Sequence, residues 1–406
     1  MRYLILFSVL VFFIGCLFIS SCSSKQNKLS AGKWRGTVEL ENATVPFEFE
    51  VEPRNQQLLV TLINGKERIT LSSVEITNDS VIMHVGLYDA VLKGSLDEKE
   101  IKGNIFKAGV KGPAFKAQFK GGPRFFIDKS SKPASIEGTW AVQLVSESRE
   151  RSGVLLFKQD GHQLTGSLLT PTGDYRFFEG VADGNQFRLS TFGGAYPYLI
   201  RGKVDENGQL KGEFISGGGI TQISGILDPD AKLPDTYGKT YLKDGAEKFH
   251  FTFPNLQGDS VSLSDPKYDN KVVLVSIMGS WCPNCIDEMA FLSPWYQQNK
   301  DRGVEIIALA FERKNTLEYA RKVIRPLIDR YDVEYDVLLA GKIGGDSAEE
   351  ALPQLNAVLS FPTTIYINRE GEVRYIHSGF SGPATGKFHD ELIADFNAKM
   401  DELLGE

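Results

Sequence analysis

Apolar and polar residues alternate along much of the first half of the chain. Thr44-Val-Pro-Phe-Glu-Phe-Glu-Val51 and Tyr198 to Val204 show the pattern, the period of two expected of strands with one face buried. Glycine-containing turns separate such runs, and helical periodicity is almost absent between about Ser30 and Leu227. Near residue 248 the pattern changes. Lys271 to Met278 and Val304 to Ala310 are near-continuous apolar runs, suited to strands buried on both faces. Cys285 to Asn299, Thr316 to Tyr331 and Phe388 to Leu404 read as helices, and Thr363 to Asn368 with Glu372 to Ile376 as a hairpin. Strand, helix, strand, helix, hairpin and helix in that order predict an α/β layout. Leu338 to Glu350 reads as an insertion-like, solvated loop ahead of the hairpin.

The β region repeats itself. Gly32-Lys-Trp-Arg-Gly-Thr-Val38 matches Gly138-Thr-Trp-Ala-Val-Gln-Leu144, and Leu92 to Gly103 matches Ile200 to Gly212. Two copies of one all-β unit are expected, over 31–127 and 135–227, either as two small domains or as halves of one barrel or sandwich. Each copy ends in a hairpin with an acidic, polar turn, Asp97-Glu98-Lys99 and Asp205-Glu206-Asn207-Gly208. Residues 228–247, with Asp-Pro-Asp, Leu-Pro-Asp and Tyr-Gly-Lys, read as a linker. The predicted chain is multidomain: an all-β N-terminal region, barrel or sandwich, followed by an α/β domain over 248–406.

Composition narrows the class. Of 406 residues 42% are apolar and 24% charged, the balance of a soluble globular chain. A net charge of −7 argues against a general nucleic-acid binder, which would be basic. At the start, Arg2 is followed by an apolar run from Tyr3 to Ile19, the layout of an export signal. Its end, Ile19-Ser20-Ser21-Cys22, resembles a bacterial lipobox. That resemblance implies a signal peptide over 1–21, a lipid on the Cys22 thiol, and a lipidated tether over 22–30. Two or three acyl chains hold a protein to a bilayer stably, where one is marginal. An uncleaved signal anchor is the alternative. Ser23, in place of an Asp, favours the outer membrane by analogy with lipoprotein sorting. The expected location is the cell envelope, lipid-anchored and facing the periplasm.

The four cysteines are Cys16, Cys22, Cys282 and Cys285. Cleavage and lipidation would leave only Cys282 and Cys285 as thiols, able in an oxidising envelope to pair with each other or with a partner's sulfur. Trp281-Cys-Pro-Asn-Cys285 follows a buried strand and opens a helix. Unpaired N–H groups and the positive end of the helix dipole stabilise a thiolate there, raising the fraction of nucleophile at neutral pH. Cys282, at the N-cap, is expected to be the exposed attacking sulfur. Cys285, one turn in, is placed to resolve a mixed disulfide, and Pro283 suits an early helical position.

Here the sequence resembles the TlpA/ResA-like branch of the thioredoxin superfamily. Phe251 to Ser264 looks like its N-terminal hairpin, Lys271 to Glu288 like its first core strand and active site, and Ser360-Phe-Pro-Thr-Thr364 like its cis-proline loop. The resemblance covers about residues 248–405 and implies a thioredoxin-like, TlpA-like oxidoreductase without a cofactor. It makes Cys282 the nucleophile and Cys285 the resolving thiol of a redox-active disulfide. It makes Pro362 cis and Glu288 an acid that tunes the pair. Trp281, Phe361 and Thr363 would flank an incoming substrate strand. The implied partners are protein thiol or disulfide substrates and an upstream membrane or periplasmic redox donor, with the membrane reached through the anchor. By analogy the direction is reductive, as in cytochrome c maturation or disulfide repair. Ser276 stands where ordinary thioredoxins place a buried Asp, and Pro-Asn inside the motif replaces their Gly-Pro.

Other readings use the same residues. A thiol peroxidase shares the scaffold but needs Thr-x-x-Cys, where Met278-Gly-Ser-Trp precedes Cys282. A copper-delivery protein would hold Cu(I) through Cys282, Cys285 and His377, although no metal site is expected. A ligand-binding lipoprotein would use the β units and keep the redox domain as an accessory. Trp34 and Trp140 read as core in either case.

Overall fold

The structure, a computed structural model, describes residues 28–405 except 56, 129 and 247. Cys16, Cys22, the predicted signal peptide and most of the tether lie outside the described residues.

The first β unit runs through β1 (Gly32–Glu39), β2 (Thr44–Arg54), β3 (Gln57–Asn64), β4 (Glu67–Thr70) and β5 (Ser73–Thr77). It continues through β6 (Ser80–His84), β7 (Ala90–Asp97), β8 (Glu100–Lys107) and β9 (Val110–Phe119). They form one antiparallel sheet in the order β4-β3-β2-β1-β9-β8-β7-β6-β5. The second unit runs through β10 (Gly138–Ser146), β11 (Arg149–Asp160), β12 (Gln163–Thr170), β13 (Gly173–Asp174) and β14 (Phe178–Asp183). It ends with β15 (Gln186–Phe192), β16 (Pro197–Val204), β17 (Gln209–Ser216) and β18 (Gly219–Leu227). Strand by strand it follows the first unit, but β12 pairs with both β11 and β14 and the sheet closes into a barrel. Short β13 hangs from β12 outside the ring.

The repeated motifs occupy equivalent places. Buried Trp34 donates its indole N–H to the Ser30 carbonyl (2.8 Å), and buried Trp140 to the Ile136 carbonyl (3.0 Å). The glycine pairs Gly94–Gly103 and Gly202–Gly212 face each other across adjacent strands. A Cβ on Gly103 would lie 2.6 Å from the Gly94 Cα, so these strands approach only without side chains. The two units are joined at Asn64, whose amide accepts from the Phe192 N–H and donates to its carbonyl, both at 3.1 Å.

After residue 228 the chain crosses to the α/β domain and stays bound to it. The Tyr237 hydroxyl donates to Asp395 (2.6 Å), and Thr240 meets Ser378 (3.2 Å). A small hairpin, β19 (Thr252–Pro254) and β20 (Ser260–Ser262), leads into β21 (Val272–Met278), β22 (Val304–Glu312), β23 (Asp336–Lys342), β24 (Thr363–Ile367) and β25 (Val373–Ser378). The sheet order is β23-β22-β21-β24-β25, with the first three parallel and the last two antiparallel. Helices α1 (Pro283–Asn299), α2 (Leu317–Tyr331), α3 (Ser347–Ala351) and α4 (Lys387–Gly405) complete it. Every residue of β21 is buried, as its unbroken apolar run requires. Thr316 caps α2, accepting from the Tyr319 N–H (3.3 Å).

The stretch expected as a solvated loop is largely structure. Leu338 to Lys342 forms the parallel strand β23, with Leu338 fully buried, and residues 347–351 form α3. An apolar run of four, Val337 to Ala340, followed by Gly-Lys-Ile-Gly-Gly carries no local mark of the parallel partner that makes it a strand.

Candidate active site

The buried strand β21 delivers the chain to Gly279, Ser280 and Trp281, and α1 begins at Pro283. Cys282 is the N-cap in extended backbone, and its Sγ accepts from the Cys285 N–H at 3.2 Å. Cys282 and Cys285 are disulfide-bonded, with Cα atoms 5.3 Å apart. The Phe361–Pro362 peptide bond is cis. It brings the Phe361 carbonyl oxygen 3.3 Å from the Cys282 Sγ and sets the Phe361 ring 5.3 Å from Trp281. The Trp281 indole donates to the Phe311 carbonyl (2.8 Å), which fixes the ring beside the cysteine.

Two expectations are corrected. Thr363 does not line the substrate face: it is fully buried and its hydroxyl donates to the Ser360 carbonyl (2.8 Å), because it starts β24 between β21 and β25. Cys282 is not exposed either. It is 5% exposed and Cys285 1%, because the β units cover the helix N-terminus. The sulfur is not sealed, however. Cys282 lines a cleft of about 320 Å³ between the two β units and the α/β domain.

The cover is made by the segment from Thr170 to Arg176. The Asn284 amide, inside the cysteine motif, donates to the Asp174 carbonyl and accepts from its N–H, both at 2.9 Å. The Asp174 carboxyl accepts from the Gly382 N–H at 2.7 Å. Arg176, in left-handed backbone at φ 62°, reaches Asp287 of α1 (2.6 Å) and Glu67 of the first unit (2.5 Å). A third contact joins the first unit to α2, where Asp89 pairs with Lys322 (2.9 Å) and accepts from the Tyr319 hydroxyl (3.1 Å). Burial raises the Asp174 carboxyl to about 6, with neighbouring Asp287 adding to the shift. Burial raises Asp287 too, against the opposing pull of Arg176.

Two buried carboxyls hold the strand and turn that lead to Cys282. Glu288, 4% exposed, accepts from the Ser276 and Thr364 hydroxyls, each at 2.5 Å. Desolvation raises it to about 7, against the lowering effect of those two hydrogen bonds. Ser276, at the position of the missing Asp, is thus a donor to the acid that is present. Glu312 was missed by sequence reasoning. It is fully buried at the end of β22 and accepts from the Ser280 N–H and hydroxyl, both at 2.7 Å. Desolvation raises it also to about 7. Its one local signal was a carboxylate directly continuing an apolar run fit for full burial. Tyr88, Asp174, Arg176 and Tyr196 were missed as well, and no local pattern marks them.

His377, the ligand of the copper reading, stands on β25 with its ring 4.8 Å from that of Tyr237. Among the described residues no group of three or more His, Cys, Asp or Glu side chains is placed to hold a metal.

A cysteine pair opening a helix after the central strand, with a cis-proline loop against the first sulfur, defines a thioredoxin-fold thiol–disulfide oxidoreductase. Residues 245–376 match the AhpC/TSA family. Over 143 residues the chain is 29% identical to the thiol–disulfide oxidoreductase ResA of Halalkalibacterium halodurans, covering 35% of this chain and 72% of that protein. Over 159 residues it is 26% identical to ResA of Bacillus subtilis, covering 39% and 76%. The thioredoxin domain of a Bacteroides vulgatus thiol–disulfide oxidoreductase is 22% identical, with a TM-score of 0.29, covering 38% of this chain and 99% of that one.

Proposed function

We propose that this protein is a lipid-anchored enzyme of the cell envelope, probed from the periplasmic side by protein substrates whose disulfides it reduces. In the reduced form the Cys282 thiolate attacks a substrate disulfide and displaces one substrate sulfur as a thiol. Cys285 then attacks the Cys282 sulfur and releases the second, leaving the enzyme oxidised by two electrons and the substrate reduced by two. An upstream thiol donor restores the dithiol. Glu288, one turn along α1 from Cys285, holds or yields a proton near neutral pH as Cys285 changes state. The observation that carries this reading is Cys282 at a helix N-cap, its Sγ against the cis-proline loop and open to a cleft. The lipobox-like Ile19 to Cys22 supports the anchor, and the TlpA/ResA-like motifs support the reductive direction.

The test is exchange on a model protein disulfide with the dithiol-reduced full chain. Cys282→Ser should abolish it, and Cys285→Ala should accumulate mixed disulfides with substrate. Full activity of Cys282→Ser would falsify the assignment. Incorporation of labelled fatty acid that disappears in Cys22→Ala tests the anchor.

A further inference from the structure

The cleft over Cys282 is walled by six aromatic residues from three parts of the chain: Tyr88 of the first unit, Tyr175, Tyr196 and Tyr198 of the second, and Trp281 and Phe361 beside the disulfide. These rings hold one another. Tyr88 meets Tyr196 edge-on at 5.5 Å, Tyr175 meets Tyr198 edge-on at 5.2 Å, and the Tyr196 hydroxyl donates to the Trp281 carbonyl at 2.9 Å. The cation at the rim, Arg176, is already spent on Glu67 and Asp287. One polar group is not satisfied. Tyr88 is 2% exposed, lines the cleft, and its hydroxyl has no hydrogen-bond partner. An orphaned buried donor costs free energy. Tyr88 and the next residue, Asp89, both hold positive φ, 62° and 46°, a conformation non-glycine residues avoid. Asp89 is tied to α2 through Lys322 and Tyr319, so the turn that carries Tyr88 is fastened to the redox domain.

We infer that the β units complete the active site, and that their tyrosines form a subsite for one flat, apolar group borne beside the substrate's reacting sulfur, with the Tyr88 hydroxyl donating to a carbonyl next to that group. This rests on the exchange reaction proposed above and names what that reaction selects. A cleft of about 320 Å³ sits at the small end of ligand sites, which run from roughly 300 to 1,000 Å³. It admits a single side chain or a small molecule and excludes a folded surface. Besides threonine hydroxyls and the Asp174 carboxyl, which is held by the Gly382 and Arg176 N–H groups, the walls offer ring faces and edges, so they favour an aromatic group over an anionic one. The same chemistry can come from an aromatic residue next to a substrate cysteine or from a low-molecular-weight aromatic disulfide.

The full chain, reduced with dithiothreitol and freed of it, is mixed with symmetric disulfides of matched leaving group. One pair is the disulfides of acetyl-Cys-Phe-amide and acetyl-Cys-Ala-amide. The other is bis(2-phenylethyl) disulfide and dipropyl disulfide. Rates are followed by Trp fluorescence and by the thiol released. The aromatic member of at least one pair should react roughly tenfold faster, the scale on which an apolar pocket discriminates. A preference in the peptide pair alone identifies a protein segment as the source, and a preference in both admits the small disulfide. Tyr88→Phe should slow the Phe peptide about fivefold, one hydrogen bond's worth, and slow the phenylethyl disulfide, which has no carbonyl to accept, by less. Equal rates within each pair overturn the subsite, while exchange itself leaves the oxidoreductase reading standing. An unaltered Phe-peptide rate in Tyr88→Phe overturns the role given to that hydroxyl. No exchange with any disulfide, the thiols being titratable, overturns the proposed reaction and the subsite together.

Discussion

Glu288→Gln in the oxidised protein gives a direct reading of the buried acid one turn along α1 from Cys285, since the cysteines do not titrate in that form. The Glu288 carboxyl is 4% exposed and stands at about 7 instead of its ordinary 4.5. That difference corresponds to about 3 kcal/mol between the folded and unfolded environments. Its sign follows from which state holds the proton more tightly. Below pH 4.5 the group is protonated in both states and its contribution is fully present. Between 4.5 and 7 the unfolded chain releases its proton first, so folding stability falls; above 7 the loss is complete. Gln cannot ionise. Its one carbonyl oxygen keeps one of the Ser276 and Thr364 hydrogen bonds, and the other hydroxyl must turn, a change that does not vary with pH. Urea unfolding of both proteins at pH 4.5 and pH 8 isolates the effect, because Asp174, Asp287 and Glu312 titrate alike in each. The stability of Glu288→Gln relative to the parent should rise by about 3 kcal/mol between the two pH values. A difference that stays the same at both would show that Glu288 is not a desolvated acid, and the proton role built on it would fall.

Arg176→Ala leaves Asp287 and Glu67 buried without a counter-charge, a change on the order of 3–5 kcal/mol. Iodoacetamide should then alkylate Cys282 of the reduced protein at least tenfold faster; an unchanged rate would show that this ion pair does not hold the cover down. Gly173 lies at φ 134°, and a Cβ there would fall 1.6 Å from the Asn284 amide. Gly173→Ala should loosen the same contact, seen as faster hydrogen exchange over residues 170–176 and 282–286, and normal protection there would argue otherwise. Trp140→Phe removes the indole bond to Ile136 and part of a buried ring, an expected loss of about 2 kcal/mol in denaturant unfolding. Trp34→Phe should cost a similar amount if the two units are built alike.

What the sequence determined by itself was local. Alternation specified strands, and the unbroken apolar runs specified β21 and β22. The Trp-bearing motifs announced a repeat, while Cys282 opening a helix announced the chemistry. Each of these is set by residues within a turn or two, where backbone sterics and side-chain spacing decide. Tertiary structure decided what depends on separation. Whether two β units close separately turned on one pairing, β12 with β14, that the first unit lacks between β3 and β5. Leu338 to Lys342 became a strand only because β22 lies alongside it. Above all, burial of Cys282 depends on Tyr88 and on Asp174 to Arg176, residues about a hundred or more positions away. A contact of that kind leaves no periodic trace, since its free energy comes from desolvation and shape at a surface that exists only after both partners have folded.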